Sequence, residues 1–132
     1  MIALNPNQPP HVLVVEDDGE MRALLADALS DEGYQVAQAE DGAQAASRMT
    51  QESFDLVITD MKMPRMGGLE LLPVIRKTWP ETPVIIITGF GDASTLADAY
   101  VKGAYSYISK PFSMQDLKSI ARKALFKKGG VS

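Results

Sequence analysis

Three short apolar runs each end on a reactive side chain, and nothing else in these 132 residues restricts the fold as much. Val12-Leu13-Val14-Val15 leads into Glu16-Asp17-Asp18, Leu56-Val57-Ile58 into Thr59-Asp60, and Val84-Ile85-Ile86-Ile87 into Thr88. Continuous runs of this length without alternation fit strands covered on both faces. Such strands belong to parallel sheets, whose carboxyl ends share one edge and bind ligands in the crevice outside it. Several acids and a hydroxyl converging there predict a site.

The segments between the runs read as helices. After a first strand over 11–16, Met21, Leu24, Leu25, Ala28 and Leu29 mark one helical face, with Gly33 placed to stop it. A mixed strand from Tyr34 to Ala39 follows, then a small-residue helix opened by Asp41-Gly42 and running through Met49. The third strand covers Phe54 to Thr59, and the next helix carries Leu69, Leu72, Ile75 and Arg76, with Pro73 expected to kink or reset it. Pro80 and Pro83 bracket the turn into the fourth strand. A weakly apolar helix over 92–102, a fifth strand from Ala104 to Ile108 and a last helix with Met114, Leu117, Ile120, Ala121, Ala124 and Leu125 complete the series.

Five βα units predict an α/β fold: a doubly wound five-stranded parallel sheet with helices on both faces. Strands two and five mix polar residues among apolar ones, as edge strands do, while strands one, three and four do not. With right-handed crossovers the order is 2-1-3-4-5, the flavodoxin-like order, whose switch point lies between strands one and three. Glu16, Asp17 and Asp60 meet in that crevice. The reading divides the chain into a loose leader (1–10), one domain (11–127) and a short tail (128–132) with no effector domain.

Composition removes several classes of function. There is no cysteine, hence no thiolate nucleophile or zinc–thiolate cluster, and the one histidine, His11, is expected to be an ordinary surface residue. A net charge of -4 argues against a general nucleic-acid or membrane surface. No apolar run approaches the length of about 20 residues that a membrane helix needs. The N-terminus lacks the basic and apolar regions of a signal peptide, so a cytoplasmic location is expected.

Three neighbouring carboxylates repel one another unless a cation or a proton intervenes. An all-oxygen site with room for water suits Mg²⁺, held by Glu16, Asp17 and Asp60. A carboxylate at such a metal can itself attack a phosphoryl donor and form an acyl phosphate. Thr88 offers a hydroxyl and Lys110 an ammonium at the same edge. Taken singly, a strand-ending threonine, a loop lysine and a solvated acidic loop are ordinary features; their joint placement carries the reading.

Val12–Asp18, Asp60-Met61-Lys62-Met63-Pro64, Ile87-Thr88-Gly89 and Tyr107-Ile108-Ser109-Lys110-Pro111-Phe112 together resemble the receiver domain of two-component response regulators, over about residues 11–126. The resemblance implies a phosphorylation-dependent signalling domain rather than an enzyme, taking part only in its own Mg²⁺-dependent phosphotransfer and slow autodephosphorylation. It implies that Asp60 accepts the phosphoryl group from a sensor histidine kinase or histidine phosphotransferase. It further implies Mg²⁺ ligation by Glu16, Asp17, Asp60 and the backbone carbonyl of Lys62, phosphoryl contacts from Thr88 and Lys110, and a switch made of Thr88 and Tyr107. The output face would be helix 92–102, strand five and the last helix, where a homodimer could form.

Two positions depart from the family pattern. Glu16 stands where Asp is commoner, and Arg65-Met66-Gly67-Gly68 lacks the Asp that many relatives place before the last glycine. Thr88-Gly89-Phe90-Gly91-Asp92 is similar to receivers attached to transcriptional activators. A haloacid-dehalogenase-type phosphatase would carry a second Asp at position 62, which here is Lys62. A flavodoxin-like cofactor binder would favour Ser, Thr and Gly after strand one, where this chain has acids. A scaffold that no longer accepts phosphate would not need Asp60, Thr88 and Lys110 together.

Overall fold

The computed structural model describes residues 8–89 and 103–126. In chain order these form β1 (His11–Val15), α1 (Gly19–Asp31), β2 (Gln35–Ala39), α2 (Gly42–Gln51), β3 (Leu56–Asp60), α3 (Gly68–Thr78), β4 (Val84–Thr88), β5 (Ser106–Ser109) and a last helix, α4 (Met114–Phe126). The expected helix over 92–102, most of the leader and the tail lie outside the described residues.

All strand pairings are parallel, and the sheet order is β2-β1-β3-β4-β5, as the distribution of polar residues among the strands predicts. Successive side chains on each strand point to opposite faces. Val12, Val14, Ile58, Ile85 and Ile87 pack toward Leu25 and Leu29 of α1 and Leu117 and Ala121 of α4. Leu13, Val15, Val57 and Ile86 pack toward Met49 of α2 and Leu71, Leu72 and Ile75 of α3. Both faces are covered, which is why these runs show no polar alternation.

Several local expectations are revised. β5 begins at Ser106 rather than Ala104, because Gly103 still turns at φ +105°. Leu24 does not share the core face of α1. It is 55% exposed, while Leu25, Ala26, Ala28 and Leu29 are buried. The inclusion of Ala26 turns the buried arc away from Leu24.

Pro73 does not reset α3, which runs through it from Gly68 to Thr78. It lies on the exposed side, where water can satisfy the carbonyl left without an N–H. His11 is not a plain surface residue either. Its ring packs 4.3 Å from that of Phe54, with Nδ1 2.9 Å from the Ser53 carbonyl and Nε2 3.4 Å from Glu52.

Gly68 ties the fold to the site. A Cβ there would lie 2.5 Å from the Asp60 carbonyl oxygen and 3.0 Å from Thr59 Cγ2, both on the strand end itself. Backbone at that distance cannot swing aside, so Gly68→Ala should cost about 1–3 kcal/mol, as overpacking does. Urea denaturation measures this; a loss below about 0.5 kcal/mol, the range of neutral surface changes, would show that α3 can slide away.

Candidate functional site

The carboxyl edge of the sheet is built outward from β1 and β3. Glu16 directly follows β1 and prolongs the ladder, its N–H donating to the Ala39 carbonyl at 3.0 Å. Its side chain is consequently drawn inward and is buried. Oε2 accepts from the Asp18 N–H at 3.1 Å, whereas Oε1 is buried without a partner. Asp18 turns the other way and caps α1, accepting from the N–H groups of Glu20 and Met21. Only Asp17, exposed, and Glu16 of the acidic triplet therefore face the crevice.

Asp60 is the last residue of β3, paired in register with Ile87, rather than the first residue beyond the strand. Membership in the ladder holds its side chain against Glu16 and Asp17. One carboxylate oxygen from each of the three lies within 4.8 Å of the others. Lys110 Nζ stands 3.7 Å from Asp60 Oδ2. The lysine is anchored by its own N–H, which donates to the Thr88 carbonyl at 2.9 Å.

The electrostatics follow from burial. Loss of water pushes the Glu16 carboxyl up to about 7, against the hydrogen bond from Asp18, and the Asp60 charge adds to the rise. Burial likewise raises Asp60, against the pull of the Lys110 ammonium. Two carboxyls with displaced titration and one orphaned oxygen form a donor set short of positive charge. Hard oxygen ligands in this arrangement fit a small divalent cation.

Thr88 ends β4, buried, with its hydroxyl 3.4 Å from that of Ser109. Tyr107 lies on β5 and is 37% exposed. Lys62 lies in the exposed loop after β3. The acids and Lys110 are thus brought together, while Thr88 and Tyr107 belong to neighbouring strands. A groove of about 740 Å³ runs along the edge strand β2 past His11, Tyr34 and Glu52 and does not include the acidic cluster.

Sequence reasoning passed over the braces. Arg22 donates to the Glu16 carbonyl at 2.8 Å and to Gln38 Oε1 at 3.2 Å, holding the acidic loop against the edge strand. Its place four residues after the capping Asp18 is the signal that could have exposed it. Asp41 and Arg65, joined at 2.9 Å beside the loop after Asp60, were passed over in the same way.

A family model described as the response regulator receiver domain matches residues 12–122. Sporulation initiation phosphotransferase F of Bacillus subtilis is 35% identical over 114 residues, 86% of this chain and 92% of that protein. Response regulator receiver protein CpdR of Brucella abortus is 36% identical over 114 residues, covering 86% and 95% of the two chains. Transcriptional regulatory protein GlrR of Escherichia coli is 37% identical over 119 residues, yet this chain spans only 27% of its length. The crystal structure of the receiver domain of NtrX from Brucella abortus superposes with a TM-score of 0.84 at 38% identity, over 89% of this chain and 99% of that one. Because these matches run through both cores and the whole carboxyl edge rather than a single motif, the chain belongs to the family of response regulator receiver domains.

Proposed function

We propose that residues 11–127 form a receiver unit in which Asp60 accepts a phosphoryl group from a sensor histidine kinase or a histidine phosphotransferase. The observation that carries this reading is the setting of Asp60: a strand-end carboxylate gathered with Glu16 and Asp17 and faced by Lys110 Nζ at 3.7 Å. An Asp60 oxygen attacks phosphorus, the phosphorus–nitrogen bond of the phosphohistidine breaks, and the imidazole departs with the electron pair. Lys110 then pairs with a phosphoryl oxygen instead of the free carboxylate. Glu16, Asp17, Asp60 and the Lys62 carbonyl are the groups assigned to Mg²⁺. When bound, that ion supplies neutralisation of charge on the transferring oxygens.

Release of the group by water is the slow autodephosphorylation expected of such a domain. The unit signals and is not otherwise assigned a catalytic activity. Phosphorylation adds charge and three acceptor oxygens near the end of β4, which draws the Thr88 hydroxyl away from Ser109 and lets Tyr107 turn inward. The change is a population shift toward the state that binds phosphate better. The described part of the output face is a groove of about 410 Å³ lined by Tyr107, Phe112, Ile120 and Lys123, where a second copy or an effector would dock. No helix among the described residues is long and apolar enough to cross a membrane, and neither membrane nor nucleic acid is proposed as a direct partner.

The test is incubation with acetyl phosphate and Mg²⁺ followed by mass spectrometry. One phosphoryl group should appear on the peptide carrying Asp60, labile to hydroxylamine as an acyl phosphate is, and EDTA should suppress it. Equal labelling in EDTA, or label on another peptide, would overturn the assignment.

A further inference from the structure

The loop between β3 and α3 is bent at one residue. Met66 N–H donates to the Pro64 carbonyl at 2.8 Å, closing a three-residue ring around Arg65, whose φ is 72°. That is the pattern of a γ-turn in its uncommon positive-φ form, a conformation that costs energy for any residue but glycine. Such a turn persists only where its surroundings hold it.

Here the holder is the start of α2. Arg65 Nε lies 2.9 Å from Asp41 Oδ2, and Asp41 is buried. The other Asp41 oxygen accepts from the Gln44 N–H at 2.8 Å, so the carboxylate caps the helix and grips the turn together. Beside it the Gly42 N–H donates to the Met66 carbonyl at 2.7 Å. The two elements touch so closely that a Cβ on Gly42 would lie 2.7 Å from that same carbonyl oxygen.

The far side of the loop lies on the site. The Gly68 N–H donates to the Met61 carbonyl at 3.0 Å. A Cβ on Gly67 would come within 2.5 Å of that carbonyl, as one on Gly68 would of the Asp60 carbonyl. Met66 is followed directly by these two tightly seated glycines, so a shift at Met66 is passed on to the backbone at Asp60 and Met61. Close-packed contacts transmit such shifts rather than absorb them.

We propose that the Asp41–Arg65 pair is a latch that holds the β3–α3 loop against the acidic cluster, making Asp41 and Arg65 positioning residues for cation binding and phosphoryl uptake. Arg65 is largely exposed, which limits what the pair adds to overall stability, while Asp41 is buried. The consequence that identifies a latch is therefore the placement of the strand end. The cation part rests on the phosphoacceptor reading above; the mechanical part does not.

Three variants separate the contributions. Arg65→Gly suits the positive φ but removes the tether, Arg65→Lys keeps a cation, and Asp41→Asn keeps the helix cap while removing the charge. In metal-free protein, amide exchange over residues 61–67 should quicken in Arg65→Gly and Asp41→Asn and be restored in part by Arg65→Lys. Mg²⁺ affinity by calorimetry and phosphoryl uptake from acetyl phosphate should each fall roughly threefold to tenfold in the first two variants.

Exchange unchanged in those two overturns the latch, whatever the metal does. Faster exchange with Mg²⁺ affinity and uptake both unaltered overturns the positioning role and leaves a helix cap. A wild-type protein that neither binds Mg²⁺ nor takes up phosphate refutes the phosphoacceptor reading and the cation part, while the exchange result still decides the latch.

Discussion

Replacement of Asp60 by Asn should leave the sheet intact and reduce phosphoryl uptake from acetyl phosphate to the background of the reaction without protein. The amide keeps the size of the side chain and its place in the β3 ladder, but it has no anionic oxygen to attack phosphorus. It also removes one of the charges that burial disfavours, so the metal-free variant should be somewhat more stable than the wild type. These opposite effects distinguish lost chemistry from lost folding. Intact-mass measurement with a parallel urea denaturation reports both. Residual labelling of the Asn variant at the wild-type rate would mean that another group is the acceptor.

Metal-free protein should lose stability as pH rises from about 4.5 to about 7, because of Glu16. In the unfolded chain this carboxyl releases its proton near 4.5, whereas in the folded protein burial delays release until about 7. Between those values the unfolded state binds fewer protons, so each step up in pH favours unfolding. Below the window both states are protonated and nothing is lost; above it the loss is complete. The displacement corresponds to on the order of 3 kcal/mol, at 1.36 kcal/mol per pKa unit. Burial of Asp60 acts in the same direction.

Glu16→Gln should flatten this profile while weakening Mg²⁺ binding, since the amide preserves the acceptor for Asp18 and discards the charge. Mg²⁺ added to the wild type should restore stability above pH 7, as any ligand of the folded state does. Urea midpoints in EDTA and in Mg²⁺ across this range provide the measurement. A level profile for the wild type in EDTA would show that Glu16 remains hydrated and that its orphaned oxygen reaches water. If these profiles are observed, the same residue opposes the metal-free fold and favours the metal-bound one, a trade common at functional sites.

The strands, their order and the edge that bears the site were legible because each depends on short-range facts. Val12–Val15, Leu56–Ile58 and Val84–Ile87 are apolar throughout, and only a doubly covered strand makes that pattern favourable. Gln35, Gln38, Ser106 and Ser109 mark the edges for the converse reason. Asp60 and Lys110 were legible because a residue that ends a strand is carried to the sheet edge whatever the rest of the chain does. Leu24 was misread because a helix of mixed small and large residues leaves the centre of its buried arc undetermined until Ala26 is seen to be covered.

The amino-acid sequence by itself determined that this chain is a parallel α/β domain with acids, a hydroxyl and a lysine on one edge, since periodicity and strand ends are local properties. Tertiary structure alone decided which acids enter the crevice. Asp18 is spent on the cap of α1, Glu16 is buried with one oxygen unpartnered, and Asp41 reaches Arg65 between elements far apart in the chain. Those outcomes depend on how helices seat on the sheet. Packing against non-local neighbours sets a carboxylate's burial, its partners and its proton affinity, and no pattern along the chain encodes that distance.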